Sequence, residues 1–190
     1  DLRRLWYSDC KTFIDLDFSG CLKLENLLCN KNYIQKLILP KSIKILDCSS
    51  CQIKELDLSE CNRLEECNAR FNKLETILLN GCDQLIKLIL NNNNNLTSIV
   101  CNNSPSLKEI VINNNYKLKD IQFLSSNRIR YFDYDGNKLP INRRIAVPFK
   151  GYNTIRNLNT HCECCNNTTF KNFFGFVICE NCFLQRRIEQ

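Results

Sequence analysis

One short phrase returns seven times along this chain, and it limits the possible folds more tightly than any other feature. It reads L-R-R-L-W-Y-S-D-C from Leu2, L-E-N-L-L-C-N-K-N from Leu24, I-K-I-L-D-C-S-S-C from Ile43 and L-E-E-C-N-A-R-F-N from Leu64. It continues as L-I-K-L-I-L-N-N-N from Leu85, L-K-E-I-V-I-N-N-N from Leu107 and I-R-Y-F-D-Y-D-G-N from Ile129. The starts lie 22, 19, 21, 21, 22 and 22 residues apart. Self-similarity at so steady a period marks a chain that buries its core by stacking one coil on the next.

Within each phrase, positions 4 and 6 are apolar or small, and polar residues flank them, which is the period-two pattern of a short strand with one buried face. Position 9 is Cys or Asn, a small polar residue where the backbone turns inward. A second, out-of-phase pattern fills the gaps: I-K-E-L-D-L-S-E-C from Ile53, L-E-T-I-L-L-N-G-C from Leu74 and L-T-S-I-V-C from Leu96. The step is therefore close to half the main period, too short for a helix that could pack against a sheet. Two extended edges per coil are expected, with Asn32, Asn72, Asn93, Asn115 and Asn137 forming an internal ladder of amides that satisfies turn backbone.

The phrase resembles the leucine-rich repeat, over roughly residues 1–138. That resemblance implies a mostly β fold: a leucine-rich-repeat solenoid with a parallel concave sheet and few helices. Leu2 already falls on the repeat, so the expectation is a chain that starts within the solenoid, without an upstream cap.

The chain has 14 cysteines in 190 residues. Nine fall in the repeats, at Cys10, Cys21, Cys29, Cys48, Cys51, Cys61, Cys67, Cys82 and Cys101, all on positions 4, 6 or 9 of one phrase or the other. Their spacing follows the repeat rather than forming pairs, so they read as small buried apolar residues with free thiols. The expected location is an intracellular reducing compartment: cytoplasm, nucleus or virion interior. The abundance of Asn, Ile and Lys fits an A/T-rich coding source such as a large DNA virus or certain protists and bacteria. Hydrophobic residues make up 44% with no apolar run near membrane-spanning length, so no membrane partner is expected.

Residues 139–160, with Leu139-Pro140 and Val147-Pro148-Phe149, read as a capping segment and linker. Residues 161–190 carry Cys162-Glu163-Cys164-Cys165 and Cys179-Glu180-Asn181-Cys182. Two C-x-x-C pairs at this separation point to one structural Zn²⁺ held by Cys162, Cys165, Cys179 and Cys182, with Cys164 or His161 as alternative ligands. The residues between the pairs suit a hairpin, Thr168 to Lys171 out and Phe174 to Ile178 back. A helix is expected from Phe183. This small zinc-binding α+β module resembles treble-clef fingers of the nuclear-receptor and GATA type. By that resemblance Arg186 and Arg187 would face nucleic acid. From Lys138 onward eight Lys or Arg stand against three Glu, so +5 of the chain's net +6 lies there. A modest basic patch of that kind suits phosphate or an acidic protein surface.

On the repeats, positions 3, 5, 7 and 8 should face out of the main sheet. Trp6, Leu28, Ile45, Phe71, Ile89, Val111 and Tyr131 would then form an exposed apolar set on a rigid surface, the composition of a protein-binding face. With one His, five Gly and no convergent acid–base set, the chain offers nothing for a conventional active site or a small-molecule substrate. The expected function is a non-enzymatic interaction scaffold, with the finger as cap or second docking site. The alternative is a nucleic-acid-binding regulatory protein that uses the finger.

Overall fold

Strands only three residues long expose most of their backbone, and such strands persist only where the next copy satisfies them. The computed structural model shows how the repeats do this. It describes residues 1–137 apart from positions 12, 14, 102, 124–128 and 135, and beyond them the strand segments 145–146, 154–155, 171–173 and 176–178.

The strands in chain order are β1 (Arg4–Trp6), β2 (Leu16–Asp17), β3 (Asn26–Leu28), β4 (Leu37–Ile38), β5 (Ile45–Asp47) and β6 (Glu55–Asp57). Next come β7 (Glu66–Asn68), β8 (Thr76–Leu78), β9 (Lys87–Ile89), β10 (Ser98–Val100), β11 (Glu109–Val111) and β12 (Asp120–Gln122). The last are β13 (Tyr131–Asp133), β14 (Ile145–Ala146), β15 (Thr154–Ile155), β16 (Lys171–Phe173) and β17 (Phe176–Ile178). No helix occurs among the described residues, and hence none long and apolar enough to cross a membrane. The odd-numbered strands from β1 to β15 form one parallel sheet in chain order. The even-numbered strands from β2 to β14 make up three short parallel sheets, β2–β4, β6–β8 and β10–β12–β14. The molecule over these residues is a parallel β-solenoid of stacked coils, two strand edges to a coil.

The register follows the repeat position by position. Leu5, Leu27, Leu46, Cys67, Leu88, Ile110 and Phe132 pair in sequence, position 4 upon position 4. From Leu27 onward all of these are buried, as are Cys29, Cys48, Ala69, Leu90, Ile112 and Tyr134 at position 6. A parallel sheet brings like residues to ~4.8 Å from one another, so each column is a continuous apolar rod. Full burial of one Leu or Ile is worth roughly 1.5–3 kcal/mol, which is what holds so slim a coil together.

The turn after each strand carries the amide ladder. Asn72 donates to Ala69 O of its own coil (3.1 Å) and to Cys48 O of the coil before (2.9 Å), and its Oδ1 accepts from Ile53 N–H at 3.0 Å. Asn32, Asn93, Asn115 and Asn137 repeat this arrangement. In the third coil Cys51 takes the rung, and its thiol points to Cys29 O at 3.4 Å. The opposite corner has a ladder of its own, built from hydroxyl and thiol: Cys82 Sγ reaches Leu58 O at 3.2 Å, and Ser104 Oγ reaches Cys82 O at 2.8 Å.

One backbone feature recurs that residue type does not announce. Position 8 of every coil is left-handed: Asp9 (φ 59°), Lys31 (57°), Ser50 (55°), Phe71 (55°), Asn92 (60°), Asn114 (57°) and Gly136 (70°). Such a backbone costs an ordinary L-residue roughly 1–2 kcal/mol, and Asn and Gly tolerate it best. Gly81 fills the matching place of the second phrase, with φ 93°. A Cβ there would sit 2.5 Å from Ser59 O.

Two observations depart from the sequence reading, and a third agrees with it apart from the strand bounds. Cys10 is exposed and Cys21 half-buried, whereas the other seven repeat cysteines are buried. Both belong to the first coil, where β1 is the edge of its sheet and β2 the edge of the opposite one. Two short strands that the phrase does not foreshadow, β14 and β15, pair with β12 and β13. The hairpin between the two C-x-x-C pairs is present as antiparallel β16 and β17, with outgoing and returning strands centred on Asn172 and Val177.

Candidate docking face

Two residues of each main strand point out of the coil, and stacking turns them into two parallel columns. The first column runs Arg4, Asn26, Ile45, Glu66, Lys87, Glu109 and Tyr131. The second runs Trp6, Leu28, Asp47, Asn68, Ile89, Val111 and Asp133. The seven apolar residues expected on this face are therefore brought to one sheet or its rim, but not into one strip.

They divide in two. Trp6 and Leu28 are neighbours at one end, with Trp6 71% exposed. Ile89 and Val111 are neighbours further along, both half-buried. Between the pairs lie Asp47 and Asn68, joined by Asn68 Nδ2 donating to Asp47 Oδ2 at 3.1 Å. Asp47 also accepts from the backbone N–H and the hydroxyl of Ser49, at 2.9 and 2.6 Å. Ile45 stands between Asn26 and Glu66, and Tyr131 beside Glu109.

Phe71 is not on a strand. It occupies the left-handed corner after β7, 50% exposed, with the Arg70 guanidinium carbon 5.9 Å from its ring centroid. Its backbone N–H donates to Asn91 O at 3.0 Å, so the corner is tied to the next coil. The position of Phe71 in the phrase was legible, but its conformation was not.

Two charges of the face are matched to each other. Lys87 and Glu109 are paired at 2.8 Å, and the hydrogen bond that Lys87 donates to Glu109 raises the Lys87 pKa. At the sheet's rim Lys44 and Glu25 lie 3.4 Å apart. Pairs of this kind at the surface add little stability.

No known protein family, curated protein or solved structure matches the chain. What the surface can do therefore rests on its own chemistry.

Inside the coil the thiols are chemically quiet. Burial pushes the Cys61 thiol up to about 11 and the Cys82 thiol to about 12, and also raises Cys29, Cys48 and Cys67, so none is a thiolate near neutral pH. Among the described residues no group of three His, Cys, Asp or Glu side chains is placed to hold a metal ion. The expected zinc ligands Cys162, Cys165, Cys179 and Cys182 lie outside the described residues, as do Arg186 and Arg187.

Proposed function

We propose that this chain is a non-enzymatic protein-binding scaffold of the leucine-rich-repeat kind, and that its eight-stranded sheet is the gripping surface. The observation that carries this reading is the pairing of apolar neighbours, Trp6 with Leu28 and Ile89 with Val111, on a surface whose backbone is locked by coil-to-coil hydrogen bonds. A rigid face with apolar centres and a polar surround suits a protein partner, because little ordering entropy is lost when it docks.

The C-terminal module serves in this reading as cap or second docking site, with Cys162, Cys165, Cys179 and Cys182 holding one structural zinc. Four thiolates leave no open position for a reacting water. The hairpin of β16 and β17 between the two C-x-x-C pairs fits that plan. Seven buried, unpaired thiols in the repeats fit a reducing compartment: cytoplasm, nucleus or virion interior. A viral assembly or host-interaction role is the setting proposed for the scaffold.

A second reading, nucleic-acid binding through Arg186 and Arg187, is favoured by the +5 excess after residue 137. The test that separates the two is affinity capture from the source cell, with and without nuclease. Partners that survive nuclease and are lost in Ile89→Glu support the scaffold. Partners that vanish with nuclease, together with DNA binding that collapses in Arg186→Ala/Arg187→Ala, support the second reading.

A further inference from the structure

The left-handed corner of the fourth coil is occupied by the wrong kind of residue for stability. The other corners carry Asp, Lys, Ser, Asn, Asn and Gly, whereas this one carries Phe71. A bulky aromatic at φ 55° is an outlier, and strain of this kind persists where the site has another use. The ring gains little packing in return, since half of its surface is exposed. Its neighbour Arg70, exposed at the next outward position, lies over the ring at 5.9 Å. The ion pairs among the described residues engage Lys23, Lys41, Lys44 and Lys87, and none engages Arg70. Asp47, on the outward column one coil back, is already taken by Ser49 and Asn68.

We infer that Arg70 and Phe71 form an anchor for a partner segment that places a carboxylate side chain beside an apolar one. The guanidinium presents planar donors that match a carboxylate, while the ring offers the apolar contact, with the Ile89–Val111 pair on the coils that follow. Holding the guanidinium against an aromatic face pre-organises it, so less freedom is lost on binding. This inference rests on the docking-face reading and names the chemistry of its partner.

The probe is an array of short synthetic peptides on a Gly/Ser frame, carrying Glu-Leu-Phe, Gln-Leu-Phe or Glu-Ser-Ser. The full chain is expected to be retained on Glu-Leu-Phe at least about tenfold more strongly than on either relative. Arg70→Ala and Phe71→Asn should each remove that preference. Phe71→Asn should also raise the melting temperature, because Asn already occupies the same corner at Asn92 and Asn114. Equal retention on all three peptides, retention on none, an undiminished preference in both variants or an unchanged melting temperature for Phe71→Asn would each overturn the anchor. Ile89→Glu separates the two claims: if it abolishes retention while Arg70→Ala does not, the face stands and the anchor falls. If neither changes retention, both fall.

Discussion

The side-chain amide of Asn93 donates to the carbonyl of Ala69 at 3.0 Å, across a full coil and 24 positions back along the chain. The same amide donates to Leu90 O at 2.8 Å, and its Oδ1 accepts from Leu74 N–H at 3.2 Å. One fully buried side chain thus closes three backbone groups that no strand could reach. Asn93→Ala orphans all three in a dry interior. Stability should fall by roughly 2–4 kcal/mol, read as a lower urea midpoint. Asn62→Ala, at an exposed site, should leave the midpoint nearly unchanged.

Cys51 stands on the same ladder with a weaker donor. Its thiol already points at Cys29 O, and the backbone N–H groups of Asn32 and Ile34 point toward its sulfur. An amide fits both relationships. Cys51→Asn should raise stability by about 1 kcal/mol, measured by the same urea transition, and a lower midpoint would count against the ladder as a repeated device.

The buried thiols make the fold sensitive to alkali. Burial raises Cys61 from 9.0 to about 11 and Cys82 from 9.0 to about 12. In the unfolded chain these thiols ionise near 9.0, whereas in the folded chain they remain protonated. Their contribution to stability is therefore complete below pH 9 and is lost as pH climbs through about 11 for Cys61 and about 12 for Cys82. The urea midpoint should hold steady from pH 7 to 8 and then fall, and Cys61→Ala should flatten part of that fall.

Gly81 and Gly20 make a controlled pair. A methyl group on Gly81 would meet Ser59 O at 2.5 Å on a backbone at φ 93°, while one on Gly20 would meet nothing within 4 Å. Gly81→Ala should destabilise by about 2 kcal/mol or more, and Gly20→Ala should be close to neutral. Thermal unfolding of the two variants side by side checks this.

Much of this architecture could be read from the chain because each coil repeats the same physics. Leu27, Leu46, Leu88 and Ile110 recur at one position, and only a stacked strand buries them all. The Asn rungs were legible for the same reason, since a buried amide must find backbone to bond. The left-handed corner was not legible, because backbone geometry imposes it on Lys31, Ser50 and Phe71 alike. The outward columns were legible from the repeat, but the hydrogen bond from Asn68 to Asp47, between the Trp6–Leu28 and Ile89–Val111 pairs, was not. Cys10 was expected inside, yet it lies on the coil at the sheet's edge, where nothing covers it. The zinc ligands and the basic pair at the C-terminus remain a matter of spacing alone.

The central claim is that the eight-stranded face, not the opposite one, grips a protein. Ile89→Glu places a charge on that face, and Leu78→Glu places the same charge at an exposed site on β8 of the opposite sheet. Quantitative mass spectrometry of nuclease-resistant partners, captured in parallel by the two variants and the parent chain, tests the claim directly. Partners lost by Ile89→Glu and kept by Leu78→Glu are the predicted result. Partners kept by Ile89→Glu, or lost equally by both variants, would contradict it.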